Sequence, residues 1–535
     1  MNYGKEVFKN VTTESKLLGR DQILNSCNHY VFKASDMSIL NRFLIMGTEG
    51  GTYYIDQKKL TMDNAETILR MIKSSDETAR MVVDKVVEVS NGGRAQKNDP
   101  AIFVLALVAS FGGDSAKKYA FSNLAQVCRI GTHLFYFLET MKSMRGWGRG
   151  LRTAVSNWYT DRSIDSLTTQ LLKYKNRHGW THKDAIAKAH VKPQHDEQAY
   201  MFKHLFHTEL SCDTELFESS RYFVGANFNH IVGTDVRKAV KYIKDFNLPR
   251  EVVPTEMLND PLIWDALVDN NMGYTALIRN LGKMSAIKYL TTNSESTRKV
   301  INLLTNKDKI TASRVHPISI LQALMVYRRG EGIRGSLSWN TVKTIVDALE
   351  DAFYTSFKNV EPTGKRHMIS IDMSGSMTWH ISENEVLTSS AVAGAMAMSV
   401  VRTESMYDIM GFDSKFKPLN ITKRSSIADV YNEIYHGTFG RTDCSVPMQY
   451  ALDNKIPVDV FTIWTDNETN CSRVHPSVAL KNYREVMGID AKLIVCATCA
   501  NSFTIADPED RGMLDIAGFD SSVPTIIHDF SLGLI

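Results

Sequence analysis

The chain has 535 residues, 43% hydrophobic and 23% charged, with a formal net charge of +3. That length accommodates two or more domains, and the longest apolar stretch, Ala101 to Phe111, is far too short to cross a bilayer. Seven cysteines without framework spacing, and a Met1 to Arg20 segment lacking an apolar core, argue for a reducing, cytoplasmic setting and against a secreted disulfide scaffold. Charge is unevenly spread: residues 1–364 hold 48 Lys and Arg against 38 Asp and Glu, and residues 365–535 hold 14 against 21. A basic first part beside an acidic second part suggests a polyanionic partner for the first, although a solvated charged surface gives the same count.

Within the first part, apolar residues recur at three- and four-residue spacing. This predicts helices over 67–89, 101–110, 116–127, 132–144, 151–159 and 164–174. The pattern continues over 236–246, 261–268, 274–281, 297–304, 318–327 and 341–357. Short breaks such as Asn91-Gly92-Gly93, Gly112-Gly113-Asp114 and Asn247-Leu248-Pro249 separate them. Helices of similar length joined by short turns predict stacked helical pairs with no strict sequence period. A linker is expected over 358–365, where Glu361-Pro362-Thr363-Gly364 occurs.

One basic segment stands out among these helices. Lys173, Lys175, Arg177, His178, His182, Lys183, Lys188, His190, Lys192 and His195 are accompanied by a single acid, Asp184. Tyr174 and Trp180 are interleaved. Lys and Arg neutralise phosphates, and aromatic rings offer stacking surfaces to unpaired bases; a solvated helix face is the plain alternative. His178-Gly179-Trp180-Thr181-His182 breaks the helix, and Thr181 is placed to cap the next one, over 185–189.

The second part alternates strands and helices. Strands are expected over 368–371, 407–412, 458–464 and 492–496, and helices over 389–401, 426–434, 447–452 and 477–487. This is the pattern of a doubly wound α/β sheet, which binds ligands at the carboxyl ends of its strands. Three oxygen-rich loops fall there. Asp372-Met373-Ser374-Gly375-Ser376 follows the first strand. Thr438-Phe439-Gly440-Arg441-Thr442-Asp443 supplies a threonine, and Thr465-Asp466-Asn467-Glu468-Thr469 follows a third apolar run. Carboxylate and hydroxyl oxygens suit a hard divalent cation. In this order the loops resemble the metal-ion-dependent adhesion site of a von Willebrand factor A-type domain. We expect Mg²⁺ held by Asp372, Ser374, Ser376 and Thr442, with Asp466 close by. No Walker A motif, G-x-S-x-G or metalloprotease helix is present, and the lone Cys496-Ala497-Thr498-Cys499 has no second pair at zinc spacing. The chain is therefore expected not to be an enzyme.

Taken together, the chain resembles the Ro autoantigen family, which joins a helical-repeat TROVE module to a von Willebrand A-type domain. The string from Phe43 through Gly47-Thr48-Glu49-Gly50-Gly51-Thr52 to Tyr54 is similar to the family's opening segment. Cys128-Arg129-Ile130-Gly131-Thr132-His133 and Lys173-Tyr174-Lys175-Asn176-Arg177-His178-Gly179-Trp180 resemble its helical module. Ala506-Asp507-Pro508 and the run from Gly512 to Asp520 resemble its second domain. The resemblance spans essentially the whole chain and implies a helical-repeat (HEAT-like) ring over 1–360 and an α/β domain over 361–535. It implies a protein for RNA quality control, with small noncoding Y-like RNA on a basic outer surface and single-stranded 3′ ends of misfolded RNA in the ring. On this reading Lys173, Arg177 and His190 match the outer RNA surface, flanked by Lys175, His182 and Lys183. Arg129, His133, Arg149 and Arg152 are candidates for the ring lumen. Asn176, His178 and Gly131 depart from the family pattern and bear on fine RNA preference. A monomer without membrane attachment is expected, with a ribonuclease or helicase as a further partner. The alternative is a metal-dependent protein-interaction scaffold.

Overall fold

The structure is a computed structural model describing residues 21–48, 51–206, 219–270, 272–357, 360–381, 386–435, 440–472 and 474–535. Met1 to Arg20, Glu49, Gly50, Thr438 and Phe439 from the strings above lie outside the described residues. From Asp36 to Thr355 the chain is dominated by helices, and side-chain caps set many of their ends. The helix expected over 67–89 is two, Gln57–Ser74 and Asp76–Gly92. Ser75 divides them: its backbone is extended and its hydroxyl accepts from the Thr78 amide. Such a cap starts a new helix without disturbing apolar spacing, so periodicity does not register it. Asn123 splits the helix expected over 116–127 into Asp114–Ser122 and Leu124–Val127. The helices Asp99–Phe111, Gly131–Met144, Arg149–Thr160, Ile164–Lys173 and Pro317–Arg329 follow the expected spacing closely. Asp36–Met46 lies outside the expected helices; it buries Ile39, Leu40, Arg42, Phe43, Leu44 and Ile45, so no polar face alternates with an apolar one.

The helical array returns on itself. At the Gly93-Arg94 turn, the Arg94 carbonyl accepts from His316 Nε2 at 3.1 Å, across 222 positions of sequence. Gly93 has φ +64°, and a Cβ there would lie 3.2 Å from the Arg314 Cβ, so this approach needs glycine. The Arg94 guanidinium pairs with Asp520 of the C-terminal domain, and Ser521 Oγ donates to the Gly93 carbonyl at 3.3 Å. An early turn, a late turn and the second domain thus meet at one seam, closing a ring.

The strands, in chain order, are β1 (Gln22–Leu24), β2 (Tyr30–Lys33), β3 (Asn176–Arg177), β4 (Trp180–Thr181), β5 (Arg366–Asp372) and β6 (Met406–Phe412). They continue with β7 (Phe416–Pro418), β8 (Val460–Thr465), β9 (Lys492–Ala497), β10 (Phe503–Thr504) and β11 (Met513–Ala517). The central sheet has the order β11-β9-β8-β5-β6-β7 and is parallel except for the β7 edge. Strand order reverses on either side of β5, so a crevice opens between the carboxyl ends of β5 and β8, where this architecture binds ligands. The edge strands β7 and β11 and the last helix, Val523–Leu532, lie outside the elements expected from apolar runs.

The N-terminal segment belongs, by hydrogen bonding, to the second half of the chain. β2 pairs with β1 and with β10 to form a separate three-stranded sheet. Arg42, only 1% exposed, then bridges the halves: Nη1 donates to the Asn501 carbonyl at 2.9 Å and to the Phe503 carbonyl at 2.8 Å, and Nη2 pairs with Asp515. Burial pushes the Asp515 carboxyl upward, and Arg42 pulls it back.

Removing one member of a buried pair leaves the other charge uncompensated, typically at about 3–5 kcal/mol. Arg42→Met should destabilise the protein by that amount in urea denaturation; an unchanged midpoint would exclude Arg42 as the bridge. Acid should also destabilise it. Burial lowers His133, His182, His316 and His475 from 6.5 to about 4. Their unfolded forms take up protons first, so their contribution is intact above about 6.5 and is lost as pH falls towards 4. The expected slope is at most about 1.4 kcal/mol per histidine per pH unit. A urea midpoint flat over that window would contradict it.

Candidate functional site

Three loops converge at the crevice. Asp372 closes β5 fully buried; Oδ1 accepts from the Ser374 amide at 2.9 Å and Oδ2 from Thr465 Oγ1 at 2.7 Å. The hydroxyls of Ser374 and Ser376 lie 3.2 Å apart, and Ser376 hydrogen-bonds the Asp466 carboxylate that follows β8. The Gly375 amide donates to the Gly440 carbonyl at 3.3 Å, stitching the first loop to the second. The Thr442 amide donates to Asn470 Oδ1 at 3.1 Å, stitching the second to the third. All five expected metal-site residues are buried.

Their chemistry fits a hard cation. Neither Asp372 nor Asp466 makes an ion pair with Lys, Arg or His among the described residues. Burial, then the charge of Asp466, raises Asp372 to about 7, and burial also raises Asp466. The buried Thr442 Oγ1 has no hydrogen-bond partner among the described residues. Such an orphan costs free energy unless something occupies its lone pairs. No group of three or more His, Cys, Asp or Glu gathers at metal-binding spacing among the described residues. The donor set is instead two carboxylates and three hydroxyls, which disfavours soft metals. Cys496 and Cys499 are both free thiols.

Sequence reasoning does not find the walls of this site. Glu468 is raised to about 8 by burial and by Asp466, and it accepts from the Ser26 amide at 3.0 Å. Met46, Gly47, Gly51, Thr52 and Tyr53 line a cavity of about 50 Å³ that reaches Ser376 and Asp466. The Ser26 bond to Glu468 spans 442 positions, beyond any local pattern.

The basic segment forms a hairpin and a helix. β3 and β4 pair around a His178-Gly179 turn with φ +49° and +74°, the left-handed pair of a two-residue hairpin. Trp180 is buried and donates Nε1 to Glu139 at 2.8 Å. Thr181 caps the helix His182–Ala189 in a capping box with Asp184. The only acid of the segment is thereby engaged, with its Oδ2 accepting from Thr181 N and Oγ1 at 3.0 and 2.6 Å. Lys175, Arg177, Lys183 and His190 are exposed, and Lys173 is half-buried over the Tyr174 ring.

His182 must be removed from the expected RNA surface. It is 2% exposed, bonds the Tyr159 hydroxyl through Nδ1 at 2.8 Å, and donates Nε2 to the Gln170 carbonyl at 3.1 Å. Its ring packs on Phe135 and Trp158. As the first residue after the Thr181 cap, it points inward while its basic neighbours point out.

The lumen candidates separate into two pairs. Arg129 Nη1 donates to Ser90 Oγ at 2.7 Å and to the Gln126 carbonyl at 3.2 Å. His133, held at about 4 by burial and by Arg129, is neutral at physiological pH and supplies no charge for a phosphate. Arg149 and Arg152 are exposed and sit in the first turn of the next helix, Arg149–Thr160.

Comparison with known proteins covers the whole chain. The TROVE domain matches residues 23–220 and 246–365, and the Ro60 vWA domain matches residues 366–531. The chain is 36% identical over 526 residues to the RNA-binding protein RO60 of Deinococcus radiodurans, covering 97% of each. It is 34% identical over 608 residues to the RNA-binding protein RO60 of Caenorhabditis elegans, covering 99% of this chain and 93% of that one. The crystal structure of the Deinococcus radiodurans RO (RSR) protein superposes with a TM-score of 0.70, covering 94% of this chain and 100% of that one.

The burial of His182 has a direct test. His182→Ala strands the Tyr159 hydroxyl and the Gln170 carbonyl, at about 1–3 kcal/mol for each unsatisfied group. The melting temperature should fall clearly, whereas Lys183→Ala should leave it unchanged. Equal melting temperatures for the two variants would return His182 to the surface.

Proposed function

Because the chain belongs to the Ro60 family of TROVE and von Willebrand A-type proteins, we propose that it binds noncoding RNA as an Ro-type ribonucleoprotein. The observation that carries this reading is the unneutralised basic face. Lys173, Lys175, Arg177, Lys183 and His190 make no ion pair among the described residues; Asp184 is spent on a helix cap, and Glu139 accepts from Trp180 and pairs with Lys142. A protein-interaction scaffold has no need of such a face. Phosphates do, because each one neutralised releases condensed counterions. In this reading the face takes structured, Y-like RNA through phosphate contacts. The ring admits single-stranded 3′ ends of misfolded RNA by shape, without reading bases. A threaded end also presents the RNA to a ribonuclease or helicase partner. Among the described residues no helix is long and apolar enough to cross a membrane.

In the same reading the second domain carries Mg²⁺, held by Asp372, Ser374, Ser376 and Thr442, with Asp466 beside them. When bound, the ion supplies an electrophilic centre for a carboxylate or phosphate oxygen. Thr465 orients Asp372, and Ser376 orients Asp466. Two carboxylates among hydroxyls suit ligand capture rather than generation of a nucleophile.

Changing Lys173, Arg177 and His190 together to Ala should weaken binding of a structured RNA at least tenfold. It should also flatten the salt dependence, by about 0.9 in slope for each phosphate no longer neutralised. Exposed charges contribute little to stability, so the melting temperature should hold. Unchanged affinity and slope would leave the face without an RNA role. For the metal, Mn²⁺ titration followed by electron paramagnetic resonance should show one site, abolished by Asp372→Asn. Equal Mn²⁺ uptake by the variant would place the ion elsewhere.

A further inference from the structure

The seam that closes the ring contains charge the family reading does not use. A cavity of about 610 Å³ lies there, lined by Gly93, Arg94, Lys307, Thr311, Arg314 and Ser522 among others. Its walls come from the early turn, the late turn and the second domain together. That volume is in the range of sites that hold one small ligand or a few nucleotide units.

The charges around the cavity do not cancel. Arg94 is satisfied by Asp520 and Glu88. Both acids are therefore already engaged, and Glu88 is shared with Lys85. Lys307 and Arg314, both exposed to the cavity, make no ion pair or hydrogen bond through their side chains among the described residues. Arg129, beside them, is fixed by Ser90, Asn91 and Gln126, none of which carries charge. Arg129 and Arg314 are close enough to repel, and that repulsion and burial act in the same direction on Arg129. The fold does not let them drift apart. Arg314 caps its helix at φ +52° against Gly93, and Arg129 is held from three sides. Ser521 and Ser522, from the second domain, complete the lining, and the Ser522 amide is already taken by the Asp520 carboxylate at 2.8 Å. Lys307 and Arg314 thus line a space large enough for phosphate, with Arg129 behind Arg314; of the nearby acids, Glu88 is held by Lys85 and Arg94, and Asp308 follows Lys307 at the start of its helix.

We propose that this seam cavity is a phosphate-binding site for the backbone of single-stranded RNA, with Lys307 and Arg314 as its contacts and Arg129 as supporting charge. The proposal rests on the RNA-binding reading and deepens it by locating one stretch of single strand at the junction of ring and second domain. A strand seated there touches both ends of the ring at once, so its binding stabilises the closed ring by mass action.

The test uses the full chain carrying Lys173→Ala, Arg177→Ala and His190→Ala, so that the outer face is silent. A fluorescent twelve-nucleotide oligouridylate is titrated at several salt concentrations. Adding Lys307→Gln and Arg314→Asn, the latter a residue that tolerates the left-handed backbone, should weaken binding at least tenfold. The salt slope should fall by about 1.4, since each single-strand phosphate neutralised contributes about 0.7. Lys307→Arg with Arg314→Lys should restore most of both. The oligonucleotide should raise the melting temperature of the parent but not of the Gln/Asn variant, and millimolar inorganic phosphate should raise it far less. Affinity and slope unchanged in the Gln/Asn variant would overturn the proposal while leaving RNA binding intact. Equal stabilisation by inorganic phosphate would also overturn it, marking a general anion site. No binding of any RNA by the wild-type chain would instead remove the reading on which it rests.

Discussion

Everything in this molecule depends on closing a helical array whose ends are over 200 residues apart. An open array would expose its terminal helices, and nothing local forbids that. Closure is achieved at one polar junction. Arg94 sits at its centre, its carbonyl held by His316 and its guanidinium by Asp520. A late helical turn and the second domain therefore bind the same residue, so losing the turn strands a carbonyl and losing the second domain strands a charge. The ring and the α/β domain are energetically one unit there.

The same logic recurs elsewhere on the second domain. Arg42 is buried on a helix with no polar face and satisfies backbone carbonyls near β10 together with Asp515. The three-stranded sheet of β1, β2 and β10 adds backbone pairing to that anchor. The N-terminal segment in turn walls the crevice between β5 and β8, since Ser26 meets Glu468 and Thr52 faces the cavity at Asp466. The crevice of the second domain is thereby shaped by residues from the first few dozen positions.

Electrostatics separates structure from function across the chain. Acids that could neutralise basic residues are committed elsewhere: Asp184 to a helix cap, Asp520 and Glu88 to Arg94. Among the described residues, the outer hairpin and the ring seam both carry cations without an ion pair. Histidines show the complementary economy. His182 resembles an RNA contact in sequence, yet it and His316 are neutral hydrogen-bonding groups inside the protein.

Apolar periodicity by itself locates most helices and the core strands, because burial of one face imposes spacing along the chain. The Asp372 and Asp466 loops are legible in sequence because each follows a buried apolar strand with a run of oxygen-bearing side chains, whereas the Thr442 loop lies between two helices. The Thr181 cap is legible because it acts over three residues. Tertiary structure alone decides the rest. It divides helices at Ser75, where a side-chain cap leaves the apolar pattern intact, and at Asn123, which makes no such cap. It turns His182 inward and leaves Arg177 outside, a difference of orientation that composition does not encode. It pairs β2 with β10 and sets Gly93 against Arg314. Contacts between residues hundreds of positions apart leave no local pattern, because each side satisfies only its own neighbours until the ring closes and brings them together.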